Sequence, residues 1–242
     1  MNGRHLVVLL AAVAAAVLTA RLGAWQLDRA AQKNALQAAL GERRAMPPLP
    51  ADALARNGAD AALQHHRTVQ LRGRWAGDAT VYLENRQMNG RPGFYVVTPL
   101  VLADGSAVAV QRGWLPRDSD DRTRIASPPT PAGEVEVIGR LAPPPARLYE
   151  FNGAAAGPIR QNLDLAAWGS ETRLVLKPLS VLQEDGPASS PAGGLLRQWP
   201  APAAGVHKHH GYAFQWFALS ALIVGLYVWF QLIRPQRQRR AG

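Results

Sequence analysis

Residues 212–233 read YAFQWFALSALIVGLYVWFQLI, an apolar run broken only by Gln215, Ser220 and Gln231. An α-helix needs about 20 such residues to cross the hydrocarbon core of a bilayer. Tyr212 and Trp216 open the run and Tyr227 and Trp229 close it, as the aromatic belts of a membrane span do. Arg234, Arg237, Arg239 and Arg240 follow at once, whereas Lys208 alone stands just before it. Cationic loops stay in the cytoplasm, so the carboxyl terminus is expected there.

A second run lies near the other end. Residues 6–20, LVVLLAAVAAAVLTA, carry no charge, and apolar character resumes after Arg21 as far as Trp25. Arg21 can extend its side chain to the headgroups. A cleaved signal peptide is the rival reading, but Arg21 and Leu22 stand where a small-residue cleavage site would be needed. The run is therefore read as a retained anchor. Two spans put both termini on one side, so the basic tail decides the orientation. The chain divides accordingly into a first span over 1–27, an outward-facing domain over 28–206, and a second span with its basic tail over 207–242.

Charge supports this division. The 242 residues hold 27 Lys and Arg against 17 Asp and Glu, a net charge of +10, yet every acidic residue lies between positions 28 and 185. The excess is thus basic residues beside the apolar runs. Anionic lipid and topology account for it, and a nucleic-acid partner is not expected. With no cysteine, disulfides, thiolate nucleophiles and Cys-based zinc sites are excluded.

Within the domain, residues 27–44 are Ala-, Gln- and Leu-rich and should continue the first span as a helix to about 45, before Pro47, Pro48 and Pro50. After His66 the pattern changes. TVQLRGRW, ATVYLEN, GFYVVTPLVL, SAVAVQRGW, EVEVIGRL and RLVLKPL are short and β-branched, with turn residues between them. ADGS at 103–106 signals a hairpin, and Gly90 and Gly93 fit a turn. The expected fold class is a membrane α+β protein whose 66–183 region is β-rich, as an antiparallel sheet or a barrel-like one. NLDLAAWG from Asn162 should form a helical turn or two, and 184–206, rich in Pro, Gly and Ser, reads as a linker. The sequence holds no HExxH, GxSxG or phosphate-cradling loop, so the domain is read as non-catalytic.

The chemistry gathers where the chain meets the membrane. Trp25 and Gln26, with Arg29 and Lys33 one helical turn apart, stand where the first span ends. They form either an interface anchor or a basic surface for an anionic group. His207, His209 and His210 stand just before the second span, and histidine is a common ligand of haem iron, copper and zinc. Seven residues bring a helix back to within roughly 20° after about 10 Å of rise, so His209 and Trp216 share a face, with Tyr212 beside them. An imidazole above two aromatic rings can seat an amphiphilic macrocycle. Polar-tipped anchoring without a ligand is the plainer alternative.

Five segments in order, LGAWQLDRAAQK, ENRQMNGRPGFYVVTPL, VQRGWLP, GRLAPPP and HHGYAFQWF, resemble the Surfeit locus protein 1 family of cytochrome c oxidase assembly factors. The resemblance implies an inner-membrane chaperone that binds haem a transiently and aids its insertion into the oxidase catalytic subunit, with haem A synthase as a further partner. It also implies that His209 ligates the iron and Trp216 lies against the ring; Tyr212 and His210, beside them on the helix, complete the candidate site. His210 stands where the family usually has Leu, and Lys208 where it has an amide, so His207 and His210 remain alternative ligands. A cofactor-free scaffold for an oxidase subunit and a copper-handling protein are the competing functions.

Overall fold

In the computed structural model, the described residues are 3–118, 121, 125, 127–149, 157–185, 194–200 and 205–240. They fall into two compact units, one of residues 1–39 with 201–242 and one spanning Leu40–Pro200.

The first unit is a pair of helices. α1 (Gly3–Ala45) is unbroken and ends just before Pro47 and Pro48, where the missing N–H and restricted φ of proline stop a helix. α4 (Val206–Tyr227) continues through a wider-wound stretch, Val228–Ile233, into α5 (Arg234–Arg240). Both helices are long and apolar enough to cross a membrane. Their apolar side chains are largely exposed, among them Leu10, Val17, Leu222 and Leu226. A water-soluble helix would bury that face.

The pair is antiparallel and held at several levels. His5 Nδ1 lies 3.0 Å from Gln231 Oε1, the Ser220 hydroxyl donates to the Ala16 carbonyl at 3.0 Å, and His209 Nδ1 lies 2.7 Å from Gln26 Oε1. Between the last two, Gly23 faces the Phe217 ring so closely that a Cβ there would come within 2.9 Å of it. A residue without a side chain lets two helices approach this closely.

The second unit is built on one mixed sheet. Its strands are β1 (Thr68–Trp75), β2 (Val81–Met88), β3 (Arg91–Val101), β4 (Ala107–Pro116), β5 (Glu134–Ala142), β6 (Ile159–Arg160) and β7 (Leu176–Gln183), in the order β1-β5-β7-β4-β3-β2-β6. The β2–β3 turn places Asn89 and Gly90 at φ of 52° and 75°. Those values define a hairpin turn that Asn and Gly enter with little strain.

Two features depart from the expected antiparallel or barrel-like sheet. β7 runs parallel to β4, and β6 parallel to β2. The cause is a crossover: from β6 at one edge the chain passes through α3 (Leu165–Thr172) over the sheet before entering β7 on the far side of β4. The sheet also curls until β1 meets β3, but only through Arg74 with Val101 and Trp75 with Leu100. β2 and β6 lie outside that contact, so this is not a true barrel.

β4 lies inside the sheet and is buried from Ala107 to Leu115. Val108 and Val110 face one core with Leu71, Leu100, Val137 and Leu179, packed under α2 (Gly58–Gln64) through Ala61. Ala109, between them, faces the opposite core with Val81, Leu83, Val97 and Trp168 of α3. A strand buried on both faces reads as a continuous apolar run, as AVAV does. Asp164 caps α3, accepting from the amides of Ala166 and Ala167 at 3.0 Å each.

Of the 184–206 stretch read as a linker, 186–193 and 201–204 lie outside the described residues. Residues 194–200 pack on the sheet. Leu195 is buried against Tyr82, Phe94, Val96 and Leu115, Leu196 forms a bridge with Trp114, and Arg197 pairs with Asp185. β4 runs past its pairing with β7, which ends at Gln111, and this segment covers the backbone left over.

Candidate functional site

The helix pair carries the candidate site. α4 has only Gly205 as its N-terminal flank, without a side-chain cap, and the three histidines fall in its first turns. His207 and His210 are exposed, while His209 is half-buried, turned toward α1 and hydrogen-bonded to Gln26. Successive side chains on a helix diverge by about 100°, so the three imidazoles cannot converge. Among the described residues, no three His, Cys, Asp or Glu side chains are grouped to hold a metal ion. On the side turned toward α1 the donor set is one imidazole, His209. That suits a metal whose other ligands come from elsewhere, as the macrocycle supplies four to haem iron; copper or zinc held by protein alone would need more.

Trp216 is half-buried and Tyr212 is 52% exposed, both on the continuous helix below His209. On α1, the Arg29 guanidinium lies 5.7 Å from the Trp25 ring centroid and donates to Gln32, and Lys33 and Arg29 are near enough to His209 to act on it electrostatically. The helix pair therefore brings an imidazole and two cations together, with the Trp216 indole seven residues further along α4. Gln26 as the partner of His209 was not legible in the sequence, because 183 positions separate them and no periodicity links one helix to the other.

The sheet unit brings two other quoted segments together. Trp114 of VQRGWLP donates its indole N–H to the Arg86 carbonyl of ENRQMNG at 2.9 Å. Arg86 and Arg112 are both buried, and among the described residues neither has a carboxylate within ion-pair reach. Arg112 donates to the Pro129 carbonyl and Thr130 hydroxyl and lies 4.9 Å from the Trp75 centroid, while Arg86 donates to the Gln161 carbonyl and lies 5.9 Å from Tyr95. Burial lowers the pKa of both guanidiniums and raises that of the Tyr95 phenol. Carbonyls, a hydroxyl and ring faces engage the terminal nitrogens of both guanidiniums, while Nε of each is buried without a partner among the described residues; these groups display no nucleophile paired with a base.

Residues 13–221 match the model of the SURF1 family. The chain belongs to the SURF1 family. A SURF1-like protein of Rickettsia bellii is 27% identical over 214 residues, covering 87% of this chain and 85% of its own length. One from Rickettsia felis is 27% identical over 210 residues, covering 86% and 89%. A third, from Monosiga brevicollis, is 26% identical over 239 residues, covering 93% and 87%. The SURF1 family is generally associated with cytochrome oxidase assembly and is one of assembly factors, not of known enzymes. The match reaches from the first apolar helix into the second, so His209, Trp216 and Gln26 all lie inside it.

Proposed function

We propose that this chain is an assembly factor for a haem–copper terminal oxidase, receiving haem a as cargo at the membrane surface and passing it to the oxidase catalytic subunit. One observation carries the reading: a single half-buried imidazole, His209, is held by Gln26 at the head of an apolar helix. Trp216 is two helical turns further on. An axial imidazole is what haem iron takes from a protein, and the indole offers the macrocycle an apolar face. Arg29 and Lys33 supply positive charge for the propionates. Tyr212 and His210 border the same site. One protein ligand, open to the bilayer surface, favours handover over permanent retention.

The two helices are read as inner-membrane spans with both termini cytoplasmic and the sheet unit outside, on the strength of Arg234, Arg237, Arg239 and Arg240. Haem A synthase and the oxidase catalytic subunit are the proposed donor and acceptor of the cargo.

The test is the full chain purified from membranes that make haem a. A Soret band should accompany the wild type. His209→Ala should lose it while still inserting in the membrane, Trp216→Phe should keep less, and His210→Leu should keep it. Loss in His210→Leu with retention in His209→Ala would move the ligand by one residue. A wild type without haem would leave the cofactor-free scaffold as the better reading.

A further inference from the structure

The contact between Gln26 and His209 has a chemical direction. Its atoms are the amide oxygen of Gln26 and Nδ1 of the imidazole, 2.7 Å apart. With the amide oxygen facing the ring, Gln26 can only accept, and in that arrangement Nδ1 carries the proton. In a neutral imidazole the proton then is absent from Nε2, which keeps its lone pair. Among the described residues, Nε2 of His209 has no hydrogen-bond partner.

The helix pair fixes this contact from outside the site. From Ala16 to Gln26, α1 rises about 15 Å, and from Ser220 to His209, α4 returns over a similar distance. The Ser220–Ala16 bond and the packing of Phe217 on Gly23 therefore set the register that brings Gln26 level with His209. The nearest alternatives on α1, one position either way, point about 100° aside.

We propose that Gln26 is the positioning residue for His209: it selects the Nδ1–H tautomer and holds the ring so that Nε2 is presented for coordination. This rests, for its consequence, on the reading of haem as cargo. A histidine ligand commonly anchors its other ring nitrogen on an acceptor, which sets both tautomer and orientation. Here that acceptor comes from the other apolar helix. Iron ligation and helix pairing are thereby joined at one residue, and a shift of α1 against α4 would loosen the ligand.

Two measurements on the full chain in nanodiscs test this. The first needs no haem: ¹⁵N-histidine NMR at about pH 8, above the reference imidazole pKa of about 6.5, with His209 assigned by its absence in His209→Ala. The wild type should show His209 protonated at Nδ1, Gln26→Leu should shift it to mainly Nε2–H, and Gln26→Glu should restore Nδ1–H. A wild-type His209 protonated at Nε2, or a tautomer indifferent to Gln26→Leu, overturns the proposal.

The second titrates haem. Gln26→Leu should weaken binding by about 10–100-fold, the usual effect of removing a ligand's hydrogen-bond partner. Gln26→Glu should bind near the wild-type level with a lower midpoint potential, because a carboxylate makes the imidazole a stronger donor. Should the wild type bind haem and His209→Ala lose it, while both Gln26 variants match the wild type in affinity and potential, the positioning role falls and the haem reading stands. Should the wild type bind no haem, the haem reading falls, and with it the role of Gln26 in presenting a ligand.

Discussion

Trp114→Phe is expected to destabilise the sheet unit although the ring stays aromatic. Trp114 is 1% exposed, and its indole N–H donates to the Arg86 carbonyl. Its ring lies so close over Gly93 that a Cβ there would meet ring carbons at 2.5 Å. Phenylalanine cannot reach that carbonyl, and a buried acceptor left without its donor costs about 1–3 kcal/mol. The smaller ring leaves a void of a few tens of Å³, worth about 1 kcal/mol more at roughly 24 cal/mol per Å³. The total of about 2–4 kcal/mol corresponds to a fall in Tm of roughly 4–16 °C for a unit of this size. The assay is thermal circular dichroism of the full chain in detergent, followed at the strand signal. Trp229→Phe, on the exposed face of the second apolar helix, is the control and should leave that transition in place. A fall below about 2 °C in Trp114→Phe would refute the claim that this indole ties the two segments together.

Other perturbations have definite outcomes. Burial, with Arg43 next, lowers the pKa of His65, and burial, with Arg140 next, lowers that of His66. The unfolded chain then takes up protons first, so the sheet unit should be insensitive above about pH 7.5 and lose stability progressively as pH falls below about 6.5. The double variant His65→Gln, His66→Asn should flatten that dependence, Asn being chosen because position 66 has a φ of 71°. An unchanged slope in urea titrations between pH 7.5 and 5.5 would reject the assignment. For topology, alkaline phosphatase fused after Gly186 should be active in the periplasm and inactive when fused after Arg240. The reverse pattern would invert the orientation.

Much of this chain was legible because local pattern and final environment agree. TVQLRGRW became β1 and EVEVIGRL became β5 to within a residue, since alternating apolar side chains need only one buried face to hold them. The helix of NLDLAAWG begins at Leu165, after Asp164 caps it. β6 carries no such signal: two residues show no periodicity, and they pair only because β2 offers a free edge. His209 and Trp216 stood out because both lie on one helix, where spacing alone gives direction.

By itself, then, the sequence determined the two apolar helices, the strand segments between them and the histidine at the head of the second helix. These are properties of contiguous residues, set by length, period and the cost of burying charge. Tertiary structure alone decided that β7 runs parallel to β4, that residues 194–200 close the end of the sheet, and that Gln26 meets His209. Each of these joins residues far apart in the chain, and no local preference encodes which distant surface a segment will find. Register between packed elements settles it, through a glycine that admits a ring at Gly23 and a single hydrogen bond whose partner lies on another helix.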